Sequence, residues 1–154
     1  FAATGRVAEA RATIDSIHAV TVTLATGEAR TTLEIATLAI EGEIALRGQE
    51  AGSAVRAFTK AAALEDGLSY MEPPTWYYPV RHSLGKALLA AGQPRDAERV
   101  YREDLRRFPE NGWALRGLAL SLAAQGRAGE AKQVESRLAK AWRMADVSIT
   151  ASRF

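Results

Sequence analysis

No cysteine occurs anywhere in the 154 residues. That absence excludes a disulfide framework, a thiolate metal site and a thiol nucleophile. It fits a reducing compartment, and a bacterial periplasm would permit it equally, so cytoplasm and periplasm both stay open. Histidine occurs only twice, at His18 and His82, 64 residues apart. Neither sits in an HExxH or comparable ligand spacing, so no metal and no cofactor is expected. The chain also lacks a phosphate loop of the GxxxxGK[ST] or GxGxxG kind, and no serine stands in a nucleophile-elbow context. Carboxylates such as Glu41/Glu43, Glu65/Asp66 and Glu103/Asp104 are one or two residues apart, a spacing that does not turn side chains toward each other on a helix. They read as surface charges. Catalysis is left without a constellation, and the sequence predicts a protein that is not an enzyme. Uncharged apolar runs fall well short of the roughly 20 residues that a membrane-spanning helix needs. No signal peptide is visible, and any N-terminal signal would precede Phe1.

What the chain does contain is apolar bulk: 47% of residues are hydrophobic, enough to bury a core and to exclude a disordered segment. Formal net charge is only +2, but it is unevenly spread. Residues 1–74 carry 6 Lys/Arg against 10 Asp/Glu, and residues 75–154 carry 14 against 8. A basic half of this kind can meet an acidic partner or a nucleic acid. It can equally be a set of solvated arginines on helix exteriors. Readers of single-stranded nucleic acid interleave basic and aromatic residues along one face. Tyr101, Arg102, Arg106 and Phe108 give only a thin version of that pattern, so nucleic-acid binding is the weakest of the functional readings.

Self-comparison uncovers a repeat. The stretch "LGKALLAAGQPRDAERVYREDLRRFP" contains Leu84, Gly85, Leu88, Gly92, Ala97, Tyr101 and Pro109; a shift of 34 brings up Leu118, Ala119, Leu122, Gly126, Ala131 and Glu135. Small residues fall on small residues. Gly85 and Ala119 mark where one helix crosses its partner closely. Gly92 and Gly126 supply the left-handed turn that ends a helix. Ala97 and Ala131 let the next helix pack back, Tyr101 fills the space between, and Pro109 stops the second helix. The pattern persists more loosely upstream, with Gly42, Gly48, Ala54 and Phe58, and again with Gly5, Ala10 and Ile14. Its alanines stand at 10, 54, 97 and 131, intervals of 44, 43 and 34.

On these residues the chain resembles the tetratricopeptide-repeat family, whose period is about 34 residues. The combination of "ALEDGLSYMEPPTWYYPVRHSLGKALL" with "VYREDLRRFPENGWALRGL" looks like the C-terminal part of longer bacterial members. Glu135 at the usual aromatic position and Asp104 at the usual alanine depart from the family pattern. The resemblance implies an all-α, right-handed α-solenoid of helical hairpins, about seven helices in one domain. Its expected parts are a partial repeat 1–20, a repeat 28–66, an elbow 67–77, repeats 78–110 and 111–145, and a frayed tail 146–154. Periodicity predicts helices at about 5–18, 28–47, 50–66, 75–91, 94–107, 111–125 and 128–145. The β-branched "HAVTVTLATG" is read as a helix end and a turn, since a lone strand would have no partner. Phe1–Thr4 read as the last turn of a helix ended by Gly5, which would leave an N-terminal edge open to self-association.

In the "MEPPTWYYP" elbow the prolines act as punctuation, with Thr75 or Tyr78 as the cap of the helix that follows. Trp76 and Tyr77 are either bulk between repeats or an aromatic contact for a partner. The resemblance implies non-catalytic scaffolding, in which the first helix of each hairpin lines a groove for a protein or peptide. Aligned that way, the groove residues are Pro79, His82, Lys86 and Leu89, then Trp113, Arg116, Leu120 and Ala123. His82, Lys86 and Arg116 are the candidates for receiving an acidic segment, with Trp113 as an apolar wall. The asparagine-and-lysine clamp of chaperone-binding members is missing, since the only asparagine is Asn111. Two other classes stay open: a structural or oligomerisation module of a larger, possibly enzymatic protein, and a helical nucleic-acid binder using the basic half.

Overall fold

The computed structural model describes residues 1–24 and 26–153, and for Ala3 and Leu24 the backbone alone. Ala25, in the turn expected after the first helix, and Phe154, the last residue of the expected tail, lie outside the described residues. Among the described residues the chain is all-α. A short 3-10 turn at Ala2–Thr4 precedes α1 (Val7–Leu24), α2 (Gly27–Arg47), α3 (Ala51–Asp66), α4 (Val80–Ala90), α5 (Pro94–Arg107), α6 (Gly112–Ala124) and α7 (Ala128–Ala141). They are distributed over two compact units, Phe1–Val80 and Arg81–Phe154.

One device recurs four times. Gly5, Gln49, Gly92 and Gly126 adopt positive φ, of 81°, 60°, 70° and 75°. After each, the next amide reaches back to the carbonyl five residues earlier: Arg6 to Phe1, Glu50 to Ala45, Gln93 to Leu88 and Arg127 to Leu122, at 2.8–3.1 Å. This is the Schellman closure, which satisfies carbonyls that the helix end leaves orphaned. Five residues beyond each left-handed residue stands a buried alanine: Ala10, Ala54, Ala97 and Ala131. The sequence pattern expects Gly48 to end the second hairpin's first helix, with a gap one residue too long. Gly48 instead has φ −74° and Gln49 takes the left-handed position, which restores the spacing. An L-residue there costs roughly 1–2 kcal/mol, partly offset by the entropy a glycine would lose on folding. Gln49→Gly is therefore expected to stabilise the first unit by up to about 1 kcal/mol, read from its denaturant midpoint. A lowered midpoint would show that the glutamine side chain contributes something this backbone argument misses.

The elements differ from the sequence expectation in three further places. The first helix runs on to Leu24, and within its last turns Thr21 and Thr23 return their hydroxyls to the carbonyls of Ile17 and Ala19, at 2.7 and 3.0 Å. That back-bonding lets β-branched polar residues sit in a helix. The fourth helix begins at Val80, not at Thr75. At its start Val80 N donates to the Glu65 carboxylate, 3.0 Å away. Glu65 is thus a capping group and not a plain surface charge. The last helix stops at Ala141, and Trp142 ends it.

Close helix approach sets the core of each unit. In the first, a Cβ on Gly42 would lie 2.5 Å from the Phe58 ring, so α2 and α3 meet at a bare backbone. In the second, Tyr101 of α5 is gripped from both sides: a Cβ on Gly85 of α4 would lie 2.2 Å from its ring, and one on Gly117 of α6 2.1 Å. Tyr101 is fully buried, among Leu84, Ala97, Leu118 and other apolar side chains of the same core. Glu98 ties the ends of these helices together, accepting from Gln125 (2.8 Å), Arg102 (2.8 Å) and Arg127 (2.6 Å). Burial alone would raise its carboxyl, but the hydrogen bonds from Gln125 and Arg102 and the two arginine charges hold it below the usual range.

Candidate interaction face of α4 and α6

The sequence assigns the binding role to one face of α4 and α6, through His82, Lys86, Trp113 and Arg116. The structure treats these four differently. His82 is only 5% exposed, and its ring turns inward instead of lining a groove. Its Nε2 lies 3.0 Å from Oδ2 of Asp104 on α5, itself 0% exposed. Lys86 is half-buried one turn further along α4. Trp113 packs edge-to-face on Trp142, with centroids 5.8 Å apart at 78°, so it braces the end of α7. Arg116 sends Nε to the carbonyl of Ile149 at 3.0 Å and Nη1 to Glu135 at 3.4 Å. The acidic-segment receptor expected of His82, Lys86 and Arg116 is not assembled as drawn, because His82 spends its ring on a buried carboxylate.

Asp104 is the residue that the sequence reading missed. Its pairing with Glu103 predicts a surface charge, yet it is fully buried. The signal was present: positions 97, 101 and 104 recur at the i, i+4, i+7 spacing of one helix face, and Ala97 and Tyr101 define that face as inward. Its Oδ1 has no hydrogen-bond partner among the described residues.

The larger correction concerns the C-terminal tail, which is not frayed. After α7 the chain turns back, held by Trp142 Nε1 donating to the carbonyl of Val147 at 2.7 Å. Ile149 is then 6% exposed and Ser152 2%. Ser152 Oγ donates to the His82 carbonyl at 3.0 Å and accepts from the Tyr101 hydroxyl at 2.6 Å. Burial pushes the Tyr101 hydroxyl well above its ordinary pKa, so it stays a donor. Arg153 Nη1 reaches the hydroxyl of Ser83, a residue with no exposure. The tail therefore crosses α4 and α6 on the face to which sequence reasoning assigned binding. Beside it lies an open cleft lined by Arg116, Leu138, Trp142, Val147 and Ile149.

In the first unit, the elbow aromatics cluster. Trp76 stands 5.6 Å from both Tyr77 and Tyr78, centroid to centroid, and Tyr77 remains 79% exposed. The Trp76 indole N–H is buried without a partner among the described residues. Among the described residues no three His, Asp or Glu side chains gather to hold a metal ion, and no helix is long and apolar enough to cross a membrane.

Helical hairpins closed by a left-handed residue and packed back on an alanine define a helical-repeat protein. Residues 88–141, spanning the end of α4 through α7, match the family described as Tetratricopeptide repeat. No curated protein and no solved structure matches the chain.

Proposed function

We propose that this chain is a non-catalytic interaction module that holds a short non-helical segment of a protein partner on the α4/α6 face. Tetratricopeptide repeats suggest protein–protein interaction as the general role. The observation that supports the finer reading is the course of residues 147–153, a bent segment without helix or strand whose polar atoms find partners on this face. Arg116 on this reading is a clamp for a backbone carbonyl, and Lys86 adds positive charge nearby. His82 contributes its carbonyl, while its ring holds α5. Trp113 supports the end of α7, and Tyr77 beside Trp76 offers a separate aromatic contact. Against the nucleic-acid alternative, seven arginines of the second unit already face carboxylates: Arg99, Arg102, Arg106, Arg107, Arg116, Arg127 and Arg137. The oligomerisation alternative has no comparable support in the second unit.

The test compares partners retained by the intact chain and by a Lys86→Glu, Leu120→Asp variant, both positions lying on this face and outside the tail contacts described above. A partner that binds the intact chain as a purified protein and loses tenfold or more affinity to the variant is the expected result. A partner set indifferent to both substitutions would overturn the assignment of this face.

A further inference from the structure

We infer that residues 147–153 are an intramolecular ligand closing this face, and that a partner enters as a short segment of the same chemistry by displacing them. The inference rests on the reading of the α4/α6 face as a peptide site. The chemistry is set by three positions: an aliphatic side chain, a hydroxyl residue three positions on, and a basic residue directly after it.

Each position answers to a feature of the helices. Among the described residues of the tail, Ile149 is the one large apolar side chain that is buried; Val147, two residues earlier, is 55% exposed. Ser152 is held from two directions: it donates to a helix carbonyl and accepts from a buried hydroxyl that needs an acceptor. A site of that kind rejects a residue lacking the hydroxyl, because the buried Tyr101 hydroxyl would be left without its acceptor. Arg153 extends the recognition to the Ser83 hydroxyl, and Arg116 grips the backbone at Ile149 without regard to side chain. The hooks belong to the helices: the Tyr101 hydroxyl and the His82 carbonyl are placed by core packing whether or not the tail is there.

The tail is poorly secured apart from these hooks. Residues 143–148 and Thr150 are all exposed, and the segment is neither helix nor strand. Segments with few buried apolar contacts open at far lower free energy than the fold around them. The short tether gives the tail an effective concentration on the order of 1 mM. A free segment whose Kd is about 100 μM would then be competed roughly tenfold. Occupancy by the tail is thus a threshold that partners of this chemistry overcome and others do not.

The experiment uses the full chain and a fluorescent copy of the tail peptide, VSITASR. An Ile149→Asp, Ser152→Glu variant opens the face and leaves the helices untouched. It is expected to bind the peptide one to one, at least tenfold more tightly than the unaltered chain, and to ignore a VSATAAR peptide. Failure of the opened variant to bind, with its helical circular dichroism intact, overturns the inference. A concentration-dependent dimer of the unaltered chain that the opened variant cannot form would also overturn it, since the tail would then serve a second copy. A second measurement does not depend on that variant folding. The cysteine-free chain accepts a single nitroxide at Ser148→Cys, and excess VSITASR is expected to sharpen its spectrum by releasing the tail. An unchanged spectrum at millimolar peptide contradicts displacement. These outcomes are separate from the Lys86→Glu, Leu120→Asp comparison: a partner can depend on the face while the tail peptide fails, or the reverse.

Discussion

Gly117→Ala is expected to destabilise the second unit by roughly 2–3 kcal/mol, while Gly129→Ala is expected to stabilise it by up to about 1 kcal/mol. Both glycines sit inside helices, where alanine is intrinsically the better residue. The difference is space. A Cβ on Gly117 would be 2.1 Å from the Tyr101 ring, and at Gly129 nothing lies within 4 Å. Tyr101 has nowhere to retreat. Gly85 presses its other side, its exposure is 0%, and its hydroxyl is fastened to Ser152. The added methyl must push α6 off α5, and separated helices lose packing along their whole contact. Gly85→Ala carries the same expectation. Denaturant unfolding of the three variants decides the matter: Gly117→Ala within 0.5 kcal/mol of the parent, an arbitrary but strict margin of about a third of a tenfold equilibrium change, would mean the helices do not meet there.

The second large effect lies at the buried pair. Asp104→Ala and His82→Leu are each expected to cost about 3 kcal/mol, because each strands the other partner in an apolar interior. The double variant is expected to lose clearly less than the two combined, with a coupling of about 2 kcal/mol. Two facts support that direction. Oδ1 of Asp104 already lacks a partner among the described residues, so the carboxylate is only half satisfied where it lies. Alanine is also the usual residue of the repeat at this position, so the helix surroundings suit it. A double-variant cycle measured by denaturant unfolding checks this; strictly additive losses would show that the ring and the carboxylate do not act on one another. Because Ser152 bonds to the backbone carbonyl of His82 and not to its ring, these variants leave the tail's anchor in place.

Much of the architecture was legible because repeat geometry is written locally. Gly92 and Gly126 end their helices as expected, and Ala97 and Ala131 pack where the spacing put them. Even the misplaced Gly48 is instructive. The buried alanine holds the register, so the left-handed position goes to whichever residue precedes it by five, glutamine included. The start of α4 was not legible, since its cap comes from Glu65, 15 residues earlier in the chain. Asp104 could have been found, as its spacing from Ala97 and Tyr101 is that of a buried face. Expecting charges to face solvent concealed it.

The candidate site divides along the same line. Sequence by itself determined which stretches are helical and where the Gly92 and Gly126 turns fall, because dihedral preference and helical period are properties of near neighbours. Only the tertiary structure decided that His82 faces Asp104 across 22 positions, and that the tail closes over residues 33 to 70 positions away. Contacts over such distances cost loop entropy and are repaid only by mutual burial. Burial of that kind depends on the shape of both partners, which no single stretch of chain contains.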